Sequence, residues 1–341
     1  MADARAEALP KSVSLETVRF HTVLRFAVGT MVSFVLCEAM GWFPTFLAPL
    51  LAATLLANLP VSLSPKAGLA LILVQTGGAY AAFFLASIFG LTPFVYFCVA
   101  ALIVFFSFAI LAQGKAMLPI LLILIAFATI PVVTLVAPQQ AGALPFAFAR
   151  AMVIAVIAIW CVQALWPQMA KPEPAAAGAA PISPIKMAVA GSVIVLPLML
   201  VFLMYGITDA LPVLITTIVL VTTFDARRGA MQGTAMVVAN LIGGATAIGA
   251  YMLLQVDPSL FTLGLVALLV GLLFGARIAR GGPAGSIAVI TFNQATVLFS
   301  LSLVPGGAAP GLWMTRVAQF GLAGLFAVAM LALLLPRPRE S

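Results

Sequence analysis

Apolar runs of bilayer-spanning length follow one another along almost the whole chain, which rules out most folds at once. Twelve are legible, at 22–40, 43–59, 67–89, 93–112, 117–136, 144–166, 186–205, 209–224, 230–254, 259–278, 284–303 and 311–335. Most approach the ~20 residues an α-helix needs to cross the hydrocarbon core. The chain is 64% hydrophobic and 7% charged, where a soluble chain carries about 25% charge. The expected fold class is an all-α integral membrane protein with about 12 transmembrane helices.

Four landmarks suggest a duplication. Gln75 and Asn240, Gly41 and Gly206, and Pro93 and Pro258 are each 165 residues apart, and Arg150 and Arg316 are 166 apart. Matches in one register argue for two tandem repeats. Six helices per repeat is an even number, so the repeats lie parallel, related by a pseudo-two-fold axis along the membrane normal. The expected organisation is an N-terminal segment over 1–21, a first six-helix repeat over 22–166 and a Pro/Ala-rich linker over 167–185. A second repeat over 186–336 and a tail over 337–341 follow.

The Lys and Arg residues set the orientation. Lys66, Lys115, Lys171, Lys186, Arg227, Arg228, Arg277 and Arg280 lie in or beside even-numbered connections, and odd-numbered connections carry none. The positive-inside rule then puts both termini in the cytoplasm. The net charge of +7 comes from these scattered residues; it is an orientation signal, not a nucleic-acid one. The first twenty residues are mixed polar and charged, unlike a cleavable signal peptide. Cys37, Cys98 and Cys161 share no metal spacing and are expected to be free thiols.

The candidate site residues are polar groups inside or at the edge of the apolar runs. The run from Gly229 carries Gly233, Asn240 and Gly244 on one face, and small residues there let a second helix approach closely. Gln75 stands in the matching place in the first half. Either amide is a candidate for binding substrate or for bonding across helices, and Asn293 and Gln294 invite the same two readings. Arg150 and Arg316 break the positive-inside pattern at equivalent outer positions. A symmetric pair of guanidinium groups would attract a carboxylate and bind it bidentately; the alternative is snorkelling to headgroups or pairing with Glu38. Glu38 and Asp225 are the candidates for proton coupling, since partial burial raises a carboxyl pKa. Asp225 could equally pair with Arg228, and Asp209 reads as an N-cap. The short runs 43–59 and 209–224 carry prolines at matching places, Pro49 and Pro212. Such segments expose backbone groups and point to a binding site.

No phosphate-binding loop, metal cluster or nucleophile with a base is present in the sequence, so neither an enzyme nor a bound cofactor is expected.

The stretch G-W-F-P-T-F-L-A-P-L-L-A-A-T-L-L-A-N-L-P, followed by the helix from Lys66, resembles the fusaric acid resistance and aromatic acid exporter superfamily. So does L-P-V-L-I-T-T-I-V-L-V-T-T-F-D-A-R-R-G with the helix bearing Asn240, Gly243 and Gly244. The larger exporters of that group carry cytosolic domains after each membrane half; here the matching segments are the linker and the short tail, as in a compact membrane-only branch. The resemblance implies efflux of aromatic or other organic acids across the bacterial inner membrane, powered by the proton gradient. It also implies a periplasmic membrane-fusion adaptor and an outer-membrane channel as partners. The superfamily is similar to plant malate channels, whose basic residues line an anion pore; on that comparison Arg150 and Arg316 become lining residues. The competing readings are a passive organic-anion channel, a major-facilitator-type carrier suggested by D-A-R-R-G, and a non-transporting scaffold subunit of an efflux or secretion complex.

Overall fold

The computed structural model describes residues 15–59, 62–113, 117–167, 183–206, 213–215, 217, 218, 221, 229–304 and 310–334. Among them the regular elements are all helices: α1 Leu15–Ala39, α2 Leu47–Asn58, α3 Pro65–Ile88, α4 Pro93–Leu111, α5 Met117–Val136 and, after a single helical turn over Pro138–Ala141, α6 Leu144–Leu165. The second half gives α7 Pro184–Tyr205, α8 Gly229–Val256, α9 Leu260–Ile278, α10 Gly282–Leu303 and α11 Pro310–Leu334. Eight helices among the described residues are long and apolar enough to cross a membrane. The chain is a multi-pass membrane protein. Large apolar side chains such as Leu73, Phe84, Phe94, Phe106 and Leu273 are exposed on the bundle's outside, where lipid rather than water satisfies them. Of the run expected over 209–224, residues 213–215, 217, 218 and 221 are described, all helical and buried. Asp209, Pro212, the Asp225–Arg227–Arg228 cluster, the tail over 337–341 and the linker over 168–182 lie outside the described residues.

Local chemistry sets the helix ends. Ser64, Ser183 and Ser259 each accept a hydrogen bond from a backbone N–H three residues on, at Ala67, Lys186 and Thr262. Pro65 and Pro184 occupy the first helical positions, where a missing N–H costs nothing. Gly41 after α1 and Gly206 after α7 both adopt positive φ, 61° and 63°. That left-handed conformation ends a helix cheaply only at glycine. Asp257, between α8 and α9, accepts from the Ser259 and Thr262 hydroxyls, and these bonds hold its carboxyl below the usual range.

Glycines also fix the helix pairs. α1 runs along α9, and α4 along α7. A Cβ on Gly271 of α9 would lie 2.8 Å from Ala27 Cα; one on Gly191 of α7 would lie 2.5 Å from the Phe108 ring of α4. α3 packs on α5 and α6, and α8 packs on α10 and α11. A Cβ on Gly243 of α8 would sit 2.9 Å from the Thr291 carbonyl of α10. Without a hydrophobic drive between helices in lipid, close backbone approach of this kind supplies the association energy.

The short α2 lies at the centre. Its 12 residues reach about 18 Å at 1.5 Å per residue, less than the ~30 Å hydrocarbon core. Residues Leu47 through Leu55 are all buried. The expectation of a proline-interrupted helix needs correction: Pro49 sits in the first turn, where no intrahelical N–H bond is lost. The helix is short because the chain enters through the non-helical segment 40–46. Thr45 and Phe46 of that segment are buried among other helices, as irregular backbone at membrane depth must be.

One end of the bundle is tied by polar bonds from basic and aromatic residues. Buried Arg25 of α1 donates to the Trp166 carbonyl at 3.2 Å and to Thr22 Oγ1 at 3.1 Å. Trp160 Nε1 donates to the Leu63 carbonyl, and Gln163 Oε1 accepts from the Leu63 N–H. Arg19, Lys66, Lys186, Arg277 and Arg280 sit at the helix ends on this side, hereafter the basic end.

Gly271→Ala is expected to destabilise the purified protein by about 1–3 kcal/mol through overpacking against Ala27. Gly264→Ala, whose Cβ meets only Val35 Cγ2 at 3.7 Å, is expected to leave the thermal midpoint unchanged or higher. Equal midpoints for the two variants would contradict the close α1–α9 crossing.

Candidate functional site

A helix that is apolar all round belongs in a core; α10 is in the core yet is not apolar all round. Residues 288–302 are all buried, including Thr291, Asn293, Gln294, Thr296, Ser300 and Ser302. Asn293, Thr296 and Ser300 recur at i, i+3 and i+7 and share one face. That face meets α2. Asn293 Nδ2 donates to Thr54 Oγ1 at 3.5 Å, while Thr54 itself donates to the Leu50 carbonyl. Higher up, Ser300 and Thr45 share a hydrogen bond. Asn58, one turn beyond Thr54, donates to the Thr54 carbonyl. Two hydroxyls on the α2 side thus meet a line of three polar groups on α10.

The line is not satisfied by these bonds. Asn293 Oδ1 and both amide atoms of Gln294 are buried without a partner. An unmet buried polar group costs about 1–3 kcal/mol. A small cavity of about 20 Å³ lies alongside, bounded by Thr30, Pro49, Thr246, Thr296 and Phe299 among others. That is room for about one water. Phe26 of α1 packs edge-to-face on Phe292 of α10 and Phe34 packs tilted on Phe299, with centroids 4.9 and 5.6 Å apart.

The upper end of the line holds the described charged candidates. Glu38, at the end of α1, faces the Thr45 hydroxyl, and its Oε1 is buried without a partner. Arg150 of α6 donates from Nη2 to the Phe43 carbonyl at 3.3 Å. Its guanidinium lies over the Trp42 and Phe146 rings, 4.9 and 5.5 Å from their centroids. Arg150 thus fixes the turn between α1 and α2, through cation–π contacts of about 0.5–2 kcal/mol each. Thr45 links this end to Ser300 and so to the α10 line.

Gln75 is elsewhere. It sits on α3, which packs along α5 and α6; it is fully buried, and neither amide atom has a partner. Gly78, one turn on, faces Ile123 and Ala126 of α5. Asn240 lies within α8 and Arg316 within α11; their side chains, and the whole of Asp225, lie outside the described residues. No group of three or more His, Cys, Asp or Glu among the described residues could hold a metal. Thr45, Thr54, Thr296 and Ser300 were missed by sequence reasoning. The signal for them was the spacing of Asn293, Thr296 and Ser300, repeated on the short helix by Thr54 and Asn58.

A family model described as a protein of unknown function (DUF2955) matches residues 22–162, from α1 into α6. No curated protein and no solved structure matches the chain. The likeness to aromatic acid exporters therefore rests on the sequence motifs alone.

Gln294→Leu removes two unpartnered polar atoms at nearly constant volume. It is expected to raise stability by about 1–3 kcal/mol, read as a higher thermal midpoint of the purified protein. A lower midpoint would mean that the amide is a structural bond and not a free binding group.

Proposed function

We propose that this chain is a membrane transporter that exports organic anions, aromatic carboxylic acids foremost, across the bacterial inner membrane at the expense of the proton gradient. The observation that carries the reading is the α10 line, with the unpartnered Asn293 Oδ1 set against a short buried α2 and the unpartnered Gln294 amide on the neighbouring face toward α8. A transporter binds its cargo near the bilayer midplane, where broken or short helices expose polar groups. Buried polar groups that stability alone would remove are held there for cargo.

The proposed architecture is two parallel six-helix repeats, with both termini in the cytoplasm. The helix pairings support it: α3 with α5 and α6 is matched by α8 with α10 and α11, and α4 with α7 is matched by α9 with α1. The left-handed glycines Gly41 and Gly206 sit in the same register. On this reading the twelfth span is the one over 209–224, paired with α2.

In the proposed cycle Glu38 takes up and releases a proton at the outer end, and Arg150 attracts the departing carboxylate there. Trp42 and Phe146 hold the guanidinium, leaving its other N–H donors for the anion. Gln75 and Asn240 are proposed as matching cargo-binding amides of the two repeats, Arg316 as the partner cation of Arg150, and Asp225 as an inner proton site. A periplasmic adaptor and an outer-membrane channel complete the route.

The test is accumulation of labelled benzoate in cells expressing the chain with its adaptor. Export should lower accumulation, and a protonophore should abolish the effect. Asn293→Leu should slow export about tenfold, the equivalent of ~1.4 kcal/mol, and Arg150→Ala should also weaken it. Flux that runs only downhill and ignores the protonophore would make the protein a channel. No flux from correctly inserted protein would remove aromatic acids as cargo.

A further inference from the structure

At the basic end, α8, α9 and α10 part into a cleft of about 300 Å³. Val238 and Ile242 of α8, Leu273 and Arg277 of α9, and Ala288 and Thr291 of α10 line it. Val238, Ile242 and Leu273 are each about half exposed. They face the outside of the bundle, so the cleft opens sideways toward the lipid and not only toward water. Arg277 stands at its mouth in the last turn of α9. Among the described residues Arg277 has no hydrogen bond and no ion pair, so within them its charge stands unpaired beside an apolar recess. At the floor is Thr291, whose hydroxyl donates to the Ile287 carbonyl and keeps its oxygen lone pairs free. Thr291 lies two residues before Asn293 and three before Gln294. Gln294 is one turn along the same face of α10 as Thr291, against α8, so the cleft leads from the membrane toward that buried, unpartnered amide.

The geometry points to this cleft as an entry site for an amphipathic organic carboxylate drawn from the membrane leaflet, its carboxylate on Arg277 and its apolar body between Ile242, Leu273 and Phe274. The name "entry" rests on the transporter reading; binding does not. The volume is at the lower end of small-molecule pockets. It accommodates one or two fused rings and is too small for a two-chain phospholipid. The chemistry is that of a single cation against apolar walls, which selects one negative charge on an apolar body. A cation in the last turn also complements the helix dipole; that role would be indifferent to any ligand, and the test separates the two.

The experiment is equilibrium binding of 1-naphthoate, and of uncharged 1-naphthalenemethanol, to the full chain in phosphatidylcholine nanodiscs. Naphthoate is expected to bind, and Arg277→Gln to weaken it about fivefold or more, with Arg277→Lys recovering most of the loss. Naphthalenemethanol should bind equally to the unmodified chain and to Arg277→Gln. Ala284→Phe fills the exposed rim of the cleft without entering the core, and should weaken both probes. Unchanged naphthoate binding in both Arg277→Gln and Ala284→Phe would overturn the site. Displacement of naphthoate by added phosphatidylglycerol, lost in Arg277→Gln, would reassign the cation to lipid headgroups and overturn the small-acid reading. Binding without flux in the benzoate assay would sink the transporter and leave the cleft. Flux untouched by both cleft variants would sink the cleft as an entry site and leave the transporter.

Discussion

Inside a bilayer no bulk water stands in for a missing hydrogen-bond partner, and the rest of this structure is arranged around that constraint. Threonine and serine hydroxyls meet it by donating to the carbonyl one turn back, as Thr30, Ser33, Thr54, Thr129, Thr134 and Ser302 do. Such groups are polar in name but cost the fold little. Arg25 meets it by turning to a carbonyl at a helix end. Against that background the amides of Asn293, Gln294 and Gln75 differ, as do the Tyr96 and Ser192 hydroxyls: they are buried and keep atoms without partners. An apolar side chain of similar size would be cheaper at each position.

The packing explains how such groups are held. Glycines let α1 close on α9, α4 on α7 and α8 on α10, so the polar positions are fixed by backbone contacts rather than by adjustable side chains. The short α2 then fits between α1, α6 and α10 and brings Thr54 to Asn293. The non-helical segment before it places Thr45 against Ser300, next to Glu38 and the turn that Arg150 holds. A succession of polar groups results, Glu38, Thr45, Ser300, Thr296, Asn293 and Thr54, running along the meeting of α2 and α10. At the other end the cleft under Arg277 approaches the same helix. One buried helix thus faces both approaches.

Much of the helical layout was legible because its signals are local. A span announces itself by length and apolarity, and its start by Ser-Pro or a lone proline, as at Ser64, Pro93 and Ser183. The run expected over 43–59 proved to be a helix only over 47–58, because Phe43 through Phe46 are as apolar as a helix would be and the break there is conformational. What a helix face looks toward is a property of tertiary packing, and the sequence carries no direct record of it. That is why Asn293 was visible as a polar residue while its partner Thr54, more than 200 residues away, was not, and why the bond between Thr45 and Ser300 went unseen. Arg150 was legible as an anomaly in charge placement, but its grip on Trp42 and Phe43 depended on a turn geometry that composition does not encode.

The central claim is that the α2–α10 line is a path for polar solutes and not dry packing, and cysteine accessibility tests it most directly. In a chain with Cys37, Cys98 and Cys161 replaced by alanine, single cysteines would be placed at Asn293, Thr296 and Ser300, with Val297 on the same helix as the buried control. A membrane-impermeant, water-soluble thiol reagent should label the first three during energised turnover, with labelling slowed by aromatic acid, and should leave Val297→Cys untouched. Labelling of none of them, with protein correctly inserted and active in benzoate export, would place the path elsewhere and reduce the line to structural packing.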